Sequence, residues 1–283
     1  MDSSKLKDNN YIIHFEGSDF ITKLWVNGQY AGSHKGGYAR FSFDITNLVK
    51  DGENELTVKV EDSFDMQQPR GKQRWLDETY LCWYIPTTGI WKTVWTEYVP
   101  KISLSSVKMT PNISDFDLEL EFNVNTPESR LNGDLFVETL VTFHGELINK
   151  TYTALTSNHV CAKIDMAKKN CLSFQTQMFV WSPNDPNLYD IEFRIVENQT
   201  VLDEVGSYCA MREIRIDGSR ILLNGKPLYQ RLILDQGYWK DSHLTPPSET
   251  LLLKILTISK PLGITVFANI RKQKTNVSYT GAM

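Results

Sequence analysis

Apolar and polar side chains alternate along most of this chain. Leu118, Leu120, Phe122 and Val124 alternate with Glu119, Glu121 and Asn123, and Leu135 and Val137 resume the pattern after Asn132-Gly133. Earlier, Phe41, Phe43 and Ile45 alternate with Ser42 and Asp44, and Leu56, Val58 and Val60 with Thr57, Lys59 and Glu61. A period of two places one set of side chains on each face of a strand, so these segments predict half-buried antiparallel strands. Asn27-Gly28, Asp51-Gly52 and Asn224-Gly225 punctuate them, and Asn-Gly supplies the two left-handed residues of a tight hairpin. Short strands divided by such turns predict β-sandwiches over residues 11–99 and, after the break at Pro100, over residues 101–213.

The pattern changes near residue 230. Leu232, Ile233 and Leu234 are an uninterrupted apolar run, which predicts a strand buried on both faces, as in a parallel sheet. Thr245 reads as an N-cap with Pro246 at the first helical position, and Leu251, Leu252, Ile255, Ile258 and Leu262 recur at helical spacing before Gly263 closes the helix, with Pro261 giving an alternative end or kink near Ser259. Residues 264–267 then predict a second buried strand, which completes a strand, helix, strand unit. Asp235, directly after the first of these strands, is the first residue to question about chemistry, because the C-terminal ends of barrel strands face the active site. Its other reading is a strand-terminating acid in a solvated loop.

Composition narrows the possibilities further. At 283 residues, with 41% hydrophobic and 23% charged side chains, the chain lies in the globular range. Its length suits about two domains, a third being small or cut short. A formal net charge of -4 argues against nucleic-acid binding, and no apolar stretch suggests a membrane span. Cys82, Cys161, Cys171 and Cys209 are scattered without metal-site or redox spacing, so they read as buried or incidental thiols. His14, His34, His144, His159 and His243 lack any ligand spacing, and neither a metal nor a cofactor is expected. The polar first ten residues carry no secretory signal, which makes a cytoplasmic location the default.

Aromatic residues concentrate between residues 75 and 95: Trp75, Tyr80, Trp83, Tyr84, Trp91 and Trp95. Rings with polar tips suit sugars, whose apolar faces stack while their hydroxyls bond at the rim. A Trp-rich sandwich core is the alternative, and for Trp91 and Trp95, in a strand that must pack, it is the preferred one. Pro69-Arg70-Gly71-Lys72-Gln73 reads as a loop, where binding groups concentrate.

The order of several motifs is specific. His34-Lys35-Gly36-Gly37-Tyr38, Phe43-Asp44-Ile45-Thr46, Gln68-Pro69-Arg70-Gly71-Lys72-Gln73 and Thr87-Thr88-Gly89-Ile90-Trp91-Lys92-Thr93-Val94-Trp95 run in sequence, and Trp181-Ser182-Pro183 leads to Pro186-Asn187-Leu188-Tyr189. Then come Ile221-Leu222-Leu223-Asn224-Gly225-Lys226-Pro227 and Leu234-Asp235-Gln236-Gly237-Tyr238-Trp239. Together they resemble glycoside hydrolase family 2, which contains β-galactosidases, β-glucuronidases and β-mannosidases.

The resemblance implies a mainly β chain. A jelly-roll sugar-binding domain over residues 1–100, with its first strands absent, would precede an immunoglobulin-like β-sandwich over 101–213. The first βαβ of a truncated TIM barrel would follow over 214–283. It further implies a carbohydrate partner, a β-glycoside, and substrate contacts from Asp235, Gln236, Trp239 and Arg271. Asp235 would bond sugar hydroxyls, and Arg271 would orient the nucleophile, although the family's Arg-Lys-His-Gln-Lys here lacks its histidine. Retaining hydrolysis needs two carboxylates, which the family places after the fourth and near the seventh barrel strand. None of the glutamates here matches either, so no catalytic residue is assigned, and the chain alone is expected to be inactive. A non-catalytic carbohydrate-binding or scaffolding protein, and an adhesion-type sandwich without a sugar role, stay open. An unfinished barrel would leave open strand edges and an uncovered helix stripe, through which copies could associate.

Overall fold

The computed structural model describes residues 1–65, 67–78, 80–131, 133–170, 175–259 and 266–268. The chain is mainly β and divides into two compact units. One holds Met1–Val99 together with the chain from Gln230 on, and the other is Pro100–Tyr229.

The first unit is built on β1 (Asn9–Phe15), β2 (Ser18–Asp19), β3 (Ile21–Val26), β4 (Gln29–Lys35), β5 (Phe41–Asp44), β6 (Leu56–Glu61), β7 (Gly89–Ile90) and β8 (Val94–Pro100). Two three-stranded antiparallel sheets, ordered β5-β1-β8 and β4-β3-β6, share a core of Ile13, Phe15, Leu24, Val26 and Ile45. The alternation of β3 buries Leu24 and Val26 and leaves Lys23 and Trp25 half-buried. Asn27 and Gly28 close the β3–β4 hairpin with φ of 51° and 78°, the geometry that the Asn-Gly pair predicts. Leu56, at the start of β6, is exposed, so only Val58 of that strand joins the core.

The same unit contains β21 (Leu232–Leu234), α1 (Glu249–Ser259) and β22 (Val266–Ala268), numbered after the strands of the second unit. β21 and β22 pair in parallel, Leu232 opposite Val266, with the helix between them in sequence. Two expectations are corrected here. Leu232, Ile233 and Leu234 are 51%, 38% and 54% exposed rather than buried on both faces; among the described residues their sheet has only two strands, too few to cover either face. The helix begins at Glu249, and its cap is Ser248, whose hydroxyl accepts from the Leu251 N–H at 3.1 Å. Thr245 does not open it, because Pro247 biases Pro246, which would be the first helical residue, away from helical torsion angles. Leu251 and Ile258 of the apolar stripe are exposed. The side chains of Leu252 and Ile255, and residues Leu262, Gly263 and Arg271, lie outside the described residues.

The second unit is a sandwich built from β9 (Ser103–Asn112), β10 (Asp117–Asn125), β11 (Leu135–Phe143), β12 (Glu146–Ala154), β13 (His159–Asp165), β14 (Lys168–Asn170), β15 (Gln175–Gln177), β16 (Tyr189–Glu197) and β17 (Thr200–Cys209). Its sheets are ordered β13-β10-β9 and β12-β11-β16-β17. Leu118, Leu120 and Phe122 of β10 meet Val137, Val141, Ile191, Phe193 and Ile195 from the opposite sheet. Two of its hairpins turn at His144-Gly145 and Asn198-Gln199, again with both residues at positive φ. The Trp181-Ser182-Pro183 turn is tied by reciprocal backbone bonds between Ser182 and Asp185 and by Asn187 Nδ2 donating to the Val180 carbonyl. A small sheet of β18 (Ile214–Asp217), β19 (Arg220–Leu223) and β20 (Lys226–Pro227) follows, its last hairpin closed by Asn224-Gly225.

Candidate functional site

The first unit buries an unusual number of polar groups. Ser18, Asp19, Thr22, Arg70, Lys72 and Gln73 are all buried, and a polar group taken out of water must find a partner or destabilise the fold. Short β2 pairs with β7, Asp19 opposite Gly89, which brings the start of the domain beside the loop of residues 62–88. Gln73 is the centre of the arrangement. Its Nε2 donates to Asp19 Oδ2 at 2.8 Å and to the Tyr38 hydroxyl at 3.3 Å, while its Oε1 accepts from the Thr87 N–H at 2.6 Å. Tyr38 in turn donates to the Arg70 carbonyl at 2.9 Å. Burial raises the Asp19 carboxyl from its usual 3.8 to about 6, against the opposing pull of the Gln73 bond. Gly37 presses on this carboxylate so closely that a Cβ there would meet Oδ1 at 2.3 Å, which leaves glycine as the residue that fits.

Fixing Gln73 also fixes its neighbour. The Tyr84 N–H donates to the Lys72 carbonyl at 2.9 Å and the Arg74 N–H to the Tyr84 carbonyl at 2.8 Å, so residues 72–74 are strapped to Tyr84. Lys72, 4% exposed, donates from Nζ to Gln236 Oε1 at 2.8 Å, and its backbone N–H reaches the Tyr238 hydroxyl at 3.3 Å. The rings of Tyr84 and Tyr238 stack at 4.1 Å and 4°. Burial pushes the Tyr238 hydroxyl well above the usual phenol range, so it stays protonated as a donor. Thr245 Oγ1 closes the strap by donating to the Trp91 carbonyl at 2.7 Å.

Three of the four residues singled out from sequence fall in this segment, directly after β21. Asp235 Oδ1 accepts from the Gly237 N–H at 2.9 Å, an Asx turn that Gly237 permits with φ of 64°. Gln236 is the partner of Lys72, and Trp239 opens a tight turn whose backbone bonds reciprocally with His243. All three are half-buried. Arg271 lies outside the described residues. Sequence reading marked the Arg70–Gln73 loop and Tyr84, carried Tyr38 only within the His34–Tyr38 motif and missed Asp19; both sit outside any alternating run and carry no periodic signal of burial.

The other aromatic residues divide between two roles. Trp91 donates to the Gly37 carbonyl at 2.7 Å, and Trp95 donates to Glu16 Oε1 at 2.9 Å while stacking on His14; both serve packing. Trp75, Tyr80 and Trp83 form an edge-to-face cluster in the loop.

Chemically, the site offers amide, ammonium and phenol donors, a carboxylate acceptor and a stacked pair of flat rings. That inventory suits recognition of hydroxyl-rich ligands. Among the described residues no group of three His, Cys, Asp or Glu side chains is placed to hold a metal ion, and no helix is long and apolar enough to cross a membrane.

Comparison with known proteins places these features in context. The model of the glycosyl hydrolases family 2 sugar binding domain matches residues 1–96, and the glycosyl hydrolases family 2 model matches residues 102–212. A β-galactosidase of Thermoanaerobacter pseudethanolicus is 27% identical over 235 residues, covering 80% of this chain and 29% of that enzyme. The fold superposes on a β-glycosidase from Bacteroides vulgatus with a TM-score of 0.76 at 20% identity, over 98% of this chain and 33% of that one. It also superposes on a β-glucuronidase from Ruminococcus gnavus with a TM-score of 0.76 at 19% identity, over 100% and 46%. The chain spans 26% and 29% of the length of the first two curated relatives it matches.

Proposed function

Because the chain belongs to glycosyl hydrolase family 2, we propose that it is the sugar-binding jelly roll, the immunoglobulin-like sandwich and the first βαβ of the barrel of a β-glycosidase that hydrolyses O-glycosyl bonds. The observation that carries this reading is the join between residues 72–84 and residues 236–238, through Lys72, Gln236 and the Tyr84–Tyr238 stack. In it, the loop of the sugar-binding domain reaches the C-terminal end of β21, the face on which barrel active sites are built. Asp235, Gln236 and Trp239 then form one edge of the sugar pocket, and Arg271, outside the described residues, keeps the role that the family resemblance implies. Asp235 accepts from sugar hydroxyls, Gln236 supplies donors, and Trp239 offers an apolar face.

Neither the general acid nor the nucleophile lies in this sequence, so the chain contributes binding and not bond cleavage. Two measurements test the proposal. Aryl β-galactosides, β-glucuronides and β-mannosides should show no turnover above a heat-killed control. At least one should bind in isothermal titration, and Asp235→Asn should weaken that binding about 10-fold or more, as loss of a charged hydrogen bond does. Turnover that survives removal of host glycosidases, or binding unaffected by Asp235→Asn, would overturn it.

A further inference from the structure

The outer face of the β13-β10-β9 sheet brings three side chains into line. Asn123 of β10 and His159 of β13 are cross-strand partners, and Cys161 follows two residues later on the same face of β13. His159 Nδ1 lies 2.9 Å from Asn123 Oδ1, and Cys161 Sγ lies 3.8 Å from His159 Nε2. An amide oxygen only accepts, so the Nδ1 proton faces Asn123 and the Nε2 lone pair faces the thiol. Asn123 Nδ2 donates to Ser106 Oγ at 3.0 Å, which holds the amide in that orientation. The result is a thiol, a base and an orienting amide in series, the arrangement that activates a sulfur nucleophile. All three side chains are exposed, so a reagent can reach the sulfur.

The surrounding charges are balanced. Glu121 is the cross-strand partner of Cys161 but is held by Lys108 of β9, and Lys163, next on the same face, is held by Glu119 and Asp117. Among the described residues, no unpaired carboxylate on this face opposes a thiolate. Cys209 differs in being buried, its thiol pushed up to about 12.

We propose that Cys161 is a reversible thiol-modification site that exchanges with small-molecule disulfides, with His159 as its base and Asn123 as the positioning residue. The Cys161 S–H passes its proton to His159 Nε2, and the sulfur attacks one sulfur of R–S–S–R. The Cys161–S–S–R bond forms as the S–S bond of the reagent breaks, and the departing R–S⁻ takes the proton from the imidazolium as R–SH. The sulfurs exchange partners without net oxidation, so the disulfide is the only co-reactant required. This site is independent of the sugar-pocket reading.

The test uses the full chain carrying Cys82→Ser and Cys171→Ser, so that Cys161 is the accessible thiol, treated with oxidised glutathione or an aromatic disulfide near pH 7. Mass spectrometry should place the mixed disulfide on Cys161, at a rate roughly threefold or more above that of a free cysteine peptide. His159→Gln should bring the rate down to the peptide's, and Asn123→Ala should lower it part of the way, with the thermal midpoint unmoved in both because the positions are exposed. A Cys161 rate no higher than the peptide's, or one indifferent to His159→Gln, would overturn the assignment.

Discussion

The two units bury hydrocarbon and polar groups in different proportions, Ser103, Glu138 and Thr139 being the buried polar residues of the second among those described. The second encloses a hydrocarbon core in which Phe122, Phe193, Tyr189 and the surrounding leucines and isoleucines are fully enclosed. The first encloses a smaller apolar core and, beside it, the Asp19–Gln73–Tyr38 cluster with Arg70 and Lys72. Hydrocarbon burial is non-directional and stabilises in proportion to area, whereas a buried polar cluster holds only if its geometry is met. The second unit therefore reads as a scaffold, and the first as the place where geometry is held for a ligand.

The largest expected effect separates them directly. Phe122→Ala, at the centre of the larger core, should cost about 3–5 kcal/mol in urea unfolding, with the second unit melting ahead of the first. A loss shared equally by both units would remove the distinction.

The buried carboxylate gives the next effect. The folded state holds the Asp19 proton more tightly than the unfolded chain does, because its carboxyl titrates near 6 instead of 3.8. Its contribution is therefore fully present below about pH 4 and is lost as pH rises through about 6, an amount on the order of 3 kcal/mol. Asp19→Asn should abolish that part of the slope and leave the variant more stable than wild type at pH 7. Parallel stability curves for the two proteins between pH 4 and 7 would contradict this.

Gln73→Ala comes third. It deprives Asp19 of its only side-chain hydrogen bond among those described, for a cost of about 1–3 kcal/mol, and should carry the same slope on to higher pH. The smallest effect belongs to the surface of the second unit. Removing Lys163, whose exposed ammonium pairs with Glu119 at 2.8 Å and more loosely with the largely buried Asp117 at 3.5 Å, should move the midpoint of unfolding only slightly.

The scaffold was far more legible in the sequence than the cluster. Leu118, Leu120 and Phe122 announce their burial by alternation, and Asn27-Gly28 and Asn224-Gly225 announce their turns by composition. His144-Gly145 and Asn198-Gln199 take the same geometry without the Asn-Gly signature, because a short loop between two committed strands imposes it. Asp19 ends the two-residue strand β2 and Tyr38 lies between strands, and their burial follows from long-range packing that no local period encodes. The same limit explains Leu232, Ile233 and Leu234, whose apolar run predicts a buried strand while their exposure depends on how many neighbours the sheet has. Capping preference alone marks Thr245 and does not weigh the two prolines between it and Ser248, the residue that caps the helix.

The central claim is that the join between residues 72–84 and residues 235–239 binds a sugar. It is tested most directly by titrating an aryl β-glycoside into the chain and following the ring resonances of Tyr84 and Tyr238 by NMR with labelled tyrosine. The account predicts that these two tyrosines shift together with saturating behaviour, and that Asp235→Asn moves the titration to about 10-fold higher ligand concentration. Tyrosine resonances that stay fixed at millimolar glycoside, or shifts confined to tyrosines of the second unit such as Tyr152 and Tyr208, would contradict it.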